Sequence, residues 1–99
     1  MFTIVTKLKL AKPLDAELLR RIEQEFFVRA KEHNQGFLGA QVVRVSETEC
    51  ISISFFATQE ALDDVSSKIA GPWFAENVRP YLGGPVERSV GEVVARFGT

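Results

Sequence analysis

The chain is poor in the residues that most often do chemistry. Its 99 residues include one cysteine, Cys50, and one histidine, His33. A single cysteine excludes an intramolecular disulfide and makes a reducing, cytoplasmic compartment the expectation. A single histidine with no cysteine near it in sequence makes no recognisable metal motif, so no metal is expected. Charge of one sign is missing too: 12 Lys and Arg stand against 13 Asp and Glu, for a net charge of -1. Nucleic acid and anionic membranes are recognised by a concentrated positive field, so neither is an expected partner. No apolar run approaches the roughly 20 residues that cross a bilayer, and the N-terminus opens into a strand pattern rather than a secretory leader. No repeat or linker interrupts the pattern, and one domain over residues 1–99 is expected.

What is present is a succession of apolar periods. A period-two segment, Phe2 to Leu10, gives way to a helical period from Leu14 to His33. Two more period-two segments come next, Phe37 to Val45 and Cys50 to Ala57, joined by the polar link Ser46 to Glu49 as a hairpin. A broken helical stretch, Gln59 to Leu82, leads into a last strand, Val86 to Phe97. This is the βαββαβ order of a ferredoxin-like, split βαβ α+β fold with a four-stranded antiparallel sheet.

The punctuation supports that order. Asp15 follows Pro13 and suits an N-cap, with Leu14 and Leu19 as a staple. Leu19, Ile22, Phe26 and Ala30, widened by Leu18 and Val28, form the expected buried stripe of the first helix. Gly36 is the expected left-handed residue ending it. In the second helical stretch, Ala61, Leu62, Val65 and Ile69 face inward from an N-cap at Thr58. Gly71-Pro72 is expected to interrupt that helix, with Pro72 opening a further short helix that Pro80 ends or kinks.

Neither face of the predicted sheet is wholly polar: Ile51, Ile53 and Phe55 alternate with Ser52, Ser54 and Phe56. A sheet covered on one side only should alternate more cleanly. A two-fold homodimer, with two sheets face to face, would hide the second apolar side.

Candidate ligand-binding residues cluster after Gly71. Trp73, Asn77 and Tyr81 recur at four-residue spacing and would share one helical face if the helix outlasted Pro80. Trp73 would stack on a flat ligand while Asn77 and Tyr81 supplied hydrogen bonds. Alternatively Trp73 and Tyr81 plug the core and Asn77 faces water. Arg79 would meet an anionic substituent or else be solvated. His33, in the last turn of the first helix, is either a ligand contact or a charge favoured by the helix C-terminus. Ser52 and Ser54 either line a cavity or mark a close approach of sheets. Neither has a histidine beside it to make it a nucleophile.

The strand order, the chain length, the run Gly36-Phe37-Leu38-Gly39-Ala40-Gln41 and the stretch from Pro72-Trp73-Phe74 to Pro80-Tyr81-Leu82 resemble the antibiotic biosynthesis monooxygenase family. That family belongs to the dimeric α+β barrel superfamily. The resemblance implies a homodimer whose sheets form a shared barrel, with a ligand pocket in each subunit between its own sheet and helices. Members include oxygenases of aromatic polyketides and quinols that use no metal or flavin, and haem-degrading oxygenases. The histidine that follows the tryptophan in haem-degrading members is missing, because positions 74–83 contain none. Their first-strand asparagine is missing as well. The asparagine that stands one helical turn before the tryptophan in aromatic-oxidising members is missing too, its position being Ile69. The expectation is a cofactor-independent monooxygenase of a small aromatic or quinol-type substrate, with no cofactor. The alternative is a non-enzymatic, small dimeric ligand-binding or stress-associated protein of the same fold.

Overall fold

The computed structural model describes residues 1–98. Strand β1 (Phe2–Lys9) runs into helix α1, residues 16–33, which is followed by the hairpin of β2 (Phe37–Ser46) and β3 (Glu49–Phe56). Helix α2, residues 59–77, a short 3-10 turn (Arg79–Tyr81) and β4 (Glu87–Glu92) complete the chain. The sheet order is β2-β3-β1-β4 and every pairing is antiparallel. This is the expected ferredoxin-like α+β fold.

Both helices start where their caps dictate. The Asp15 carboxylate accepts from Leu18 N at 2.8 Å, and Thr58 Oγ1 accepts from Ala61 N at 3.1 Å. Each occupies an amide of the first turn that would otherwise lack a partner. Neither helix is uniform. In α1 the segment Ile22–Phe26 widens into a π-turn, with Phe27 N bonding back to Ile22 O. In α2 the segment Ser66–Ala70 does the same, with Gly71 N bonding to Ser66 O.

The π-turn in α2 corrects the expected break at Gly71-Pro72. Proline lacks a donor and its ring collides with the carbonyl one turn back. Widening that turn moves the carbonyl aside, so the helix continues to Asn77. In α1 the five-residue turn shifts the stripe: Leu18, Ile22 and Ala30 are buried, Phe26 and Phe27 both pack on the core, and Val28 is 48% exposed.

Gly36 is also corrected. Its φ is not positive; among the described residues only Gly98 has a positive φ. Glycine is needed there for space, since a Cβ would lie 2.6 Å from Ala61 Cβ. The Asn34 side chain accepts from Gly36 N at 2.8 Å and makes the turn instead.

The helices cover one face of the sheet. Ile4, Thr6 and Leu8 of β1 share that face with Cys50, Ser52, Ser54 and Phe56 of β3. Strand β2 is bulged between Phe37 and Gly39. A bulge inserts one residue and reverses the side-chain alternation. Phe37 therefore lies with Ala40 and Val42 on the helix side, not with Val43 and Val45 as strict alternation implies.

The opposite face carries Val5, Ile51, Ile53, Phe55 and Val43, and among the described residues no helix lies over it. Paired strand β4 is shorter than expected and stops at Glu92. Beyond it Val94 and Phe97 are fully or almost fully exposed.

Candidate functional site: a cavity between sheet and helices

Two groups of buried side chains hold the layers together. One gathers Leu8, Leu10, Leu14, Leu18, Ile22, Cys50, Trp73 and Val78. The other gathers Ile4, Ala30, Phe37, Phe56, Ala61, Leu62 and Val65. Side chains of both groups border a cavity of about 690 Å³. Its floor is the helix-side face of the sheet, with Ile4, Thr6, Leu8, Val42, Ser52 and Ser54. Its walls are largely aromatic: Phe26, Phe27, Phe37, Phe56, Trp73 and Phe74.

Both π-turns border this space, through Ile22 and Phe26 on α1 and Ser66, Ser67 and Ala70 on α2. A π-turn forfeits regular helical geometry and recurs at functional sites for that reason. Here the two distorted turns both border the cavity. The volume falls within the several-hundred-Å³ range of small-molecule sites, and an apolar lining with a few polar groups is their usual make-up.

The polar groups are arranged in register. Ser52 of β3 pairs with Thr6 of β1, and Thr6 pairs with Arg88 of β4. One rung of the sheet therefore runs Ser52, Thr6, Arg88, and all three line the cavity. At the rim the Arg88 guanidinium donates to Ser66 Oγ at 3.3 Å. Asp63 is the one carboxylate among the lining residues.

Of the residues expected to bind a ligand, Trp73 lines the cavity and is buried. Its ring stacks on Phe26, with centroids 5.2 Å apart and planes 16° from parallel. The Arg21 guanidinium also lies 5.6 Å from the ring centroid. With its ring so engaged, Trp73 serves as a rigid aromatic wall.

Asn77, Arg79, Tyr81 and His33 are not among the lining residues. Helix α2 ends at Asn77 and the chain tightens into a 3-10 turn around Pro80, so Tyr81 leaves the face it would have shared with Trp73. Asn77 accepts from Arg21 Nη2 at 2.5 Å and donates to Trp73 O at 3.0 Å. Tyr81 donates to Asp15 Oδ2 at 2.5 Å, and Arg79 is exposed.

His33 Nε2 lies 3.0 Å from Asp64 Oδ2. Asp64 also accepts from Asn34 at 3.0 Å and pairs with Lys68 at 3.2 Å, so it joins the end of α1 to α2. The Asn34 and Lys68 hydrogen bonds, then His33, hold its carboxyl down at about 2. Cys50 is buried, and burial pushes its thiol above the usual range, which suits an inert core residue.

Thr6, Asp63 and Arg88 were not among the expected site residues. A signal for Arg88 was present in β4, where it sits between Val86 and Val90 on the apolar parity. Among the described residues no three His, Cys, Asp or Glu side chains gather as a metal site. No described helix is long and apolar enough to cross a membrane.

Solved structures share this architecture over nearly the whole chain. SnoaB, a cofactor-independent oxygenase from Streptomyces nogalater, superposes in a mutant form with a TM-score of 0.74 at 12% identity, covering 99% of this chain and 97% of that one. The protein shares the fold of this oxygenase. A monooxygenase from the ActVA-Orf6 gene of Streptomyces coelicolor, in complex with nanaomycin D, superposes at 0.72 with 16% identity over 99% and 91% of the two chains. A mutant of MhuD, with two manganese protoporphyrin IX molecules per active site, superposes at 0.68 with 20% identity over the full length of both. No family model and no curated protein matches the sequence.

Proposed function

We propose that this protein is a cofactor-independent monooxygenase that oxidises a small aromatic or quinol-type substrate between its sheet and its helices. The observation that carries the reading is the aromatic-walled cavity of about 690 Å³ beneath two π-turns, on a fold shared with oxygenases. In such a reaction an acidic C–H of an anthrone-type substrate, or the phenolic O–H of a quinol, loses its proton, and the anion, with its charge shared onto carbon, passes an electron to dioxygen. The two radicals join as a hydroperoxide, which loses water. A methylene plus dioxygen thus becomes a carbonyl plus water, with no outside reductant. The protein has three tasks: to exclude water, to orient the ring, and to donate hydrogen bonds to the developing oxyanion. The aromatic walls serve the first two, and the Thr6 and Ser52 hydroxyls on the floor serve the third. Asp63 is the lining group able to take the proton.

A homodimer in the cytoplasm is part of this reading. A second copy laid on the helix-free face would cover Val5, Ile51, Ile53, Phe55 and Val43, which one chain leaves without a layer. The buried, unpaired Cys50 suits a reducing compartment.

Oxygen consumption across a panel of naphthohydroquinones and anthrones tests the activity. Substrate-dependent uptake is expected, one dioxygen for each substrate molecule oxidised. Uptake no faster than without protein, across the whole panel, contradicts it. One observation favours the alternative of a non-enzymatic ligand-binding protein: Asn77, Tyr81 and His33 are spent on structural hydrogen bonds and ion pairs. Background uptake together with saturable binding of the same compounds would select that alternative.

A further inference from the structure

Trp73 borders open space, and a side chain beside a void forfeits the contacts that would fix it from that side. The backbones around it give little help. Ile22–Phe26 and Gly71–Asn77 make little close contact with the sheet or with each other, so side chains must hold this part of the cavity wall together. One side chain reaches across from α1 to α2. The Arg21 guanidinium lies 5.6 Å from the centre of the Trp73 ring, and its Nη2 donates to Asn77 Oδ1 at 2.5 Å. Its Nε donates to Glu25 Oε2 at 2.9 Å, which fixes the fork from the other side. Asn77 spends its other end on Trp73 itself, donating from Nδ2 to Trp73 O at 3.0 Å. Trp73 is therefore held at the ring by Arg21 and Phe26, and at the backbone by Asn77. The pair with Glu25 is half-exposed, and such a pair alone adds little to stability. What matters is the planar donor fork, which serves two acceptors while the guanidinium lies over an aromatic face. Neither Arg21 nor Asn77 lines the cavity.

We infer that Arg21 is a positioning residue of the candidate site: it sets the orientation of the Trp73 wall and so governs ligand affinity without touching the ligand. The effect on affinity rests on the reading of the cavity as a ligand site; the hold on the ring does not.

The test reads the ring through 15N relaxation of the indole N–H of Trp73, the one tryptophan of the chain. It reads the site through calorimetric titration with 1,4-dihydroxynaphthalene under anaerobic conditions. Arg21→Met keeps an aliphatic stem and removes the fork. It should lower the order parameter of the indole and weaken the probe about fivefold, within the range for residues that act on a ligand through others. Arg21→Lys keeps a charge near the ring but cannot reproduce the fork, so it should recover part of both effects. Arg20→Met removes the same charge from the neighbouring residue, whose side chain bonds to Glu17 and Gln24, and should change neither. A double-mutant cycle separates positioning from general loosening: in a Trp73→Leu background, Arg21→Met should no longer change probe affinity. Arg21 is only half-buried, and an unchanged amide spectrum of the sheet verifies that each variant is folded. An indole equally ordered in Arg21→Met, or a loss of affinity that persists in full in Trp73→Leu, overturns the proposal. A parent protein that binds no dihydroxynaphthalene removes the ligand site; the relaxation result then upholds or overturns the hold on Trp73 by itself.

Discussion

The Asp15 carboxylate links two elements that meet at one end of the molecule. One oxygen caps α1 through Leu18 N at 2.8 Å, and the other accepts from the Tyr81 hydroxyl at 2.5 Å. The 3-10 turn after α2 is thereby fastened to the start of α1, next to the group of buried side chains around Leu14 and Leu18. Tyr81, which the helical spacing places beside a ligand, is a tether in the structure. Tyr81→Phe should lower Tm by a few degrees and leave the affinity of a cavity ligand unchanged. A large loss of ligand affinity at unchanged Tm would return Tyr81 to the site.

Acid should weaken the fold through two carboxylates. The Tyr81 hydrogen bond lowers Asp15, and hydrogen bonds from Asn34 and Lys68 lower Asp64 to about 2. For a group whose pKa is depressed on folding, the stabilisation is complete above its unfolded value and lost as pH falls through its folded one. The unfolded value is 3.8, so the loss from Asp64 runs from about pH 4 down to about 2. Urea midpoints measured over that interval should fall steeply in the parent protein and less steeply in Asp64→Asn. Tyr81 has the opposite sign: its hydrogen bond to Asp15 raises it, so that contribution holds below pH 10 and is lost as pH rises through the folded value.

Trp73→Ala should cost about 3 kcal/mol, the lower end of the range for removing a buried aromatic, because the ring already borders open space. Urea denaturation measures this. Val28→Ala should stay within about 0.5 kcal/mol, as exposed substitutions do. The contrast tests the corrected register of α1, since the uncorrected stripe turns Val28 inward.

Gly36→Ala should destabilise the fold although glycine there has an ordinary backbone, because the added methyl would meet Ala61 at 2.6 Å. The double change Gly36→Ala with Ala61→Gly should recover much of the loss. A glycine needed only for φ would show no such recovery.

The element order, the caps at Asp15 and Thr58 and the hairpin were all legible in the sequence, because each depends on local periods and on short polar side chains. Three features were not. A π-turn adds one residue per turn without a sequence mark of its own, so Val28 and Phe27 exchanged places. The bulge after Phe37 reversed the alternation of β2 in the same way. Most of the candidate site was hidden because its rung is assembled from three strands. Ser52, Thr6 and Arg88 are far apart in the chain and meet only through sheet register, which no local pattern encodes. Trp73 was legible as a large aromatic on a helix, whereas Tyr81 shared its face only on the condition that the helix outlast Pro80, and the helix ends at Asn77.

Cavity occupancy is measured most directly by titrating the protein with 1,4-dihydroxynaphthalene under anaerobic conditions, so that binding is observed without turnover, and following every amide and the Trp73 indole by NMR. The expected result is saturable shifts at Thr6, Ser52, Ser54, Ser66, Ala70 and the indole of Trp73, all abolished by Ser54→Phe, which fills the floor. Shifts confined to the outer surface, or none at millimolar ligand, would show that the space between sheet and helices holds no substrate.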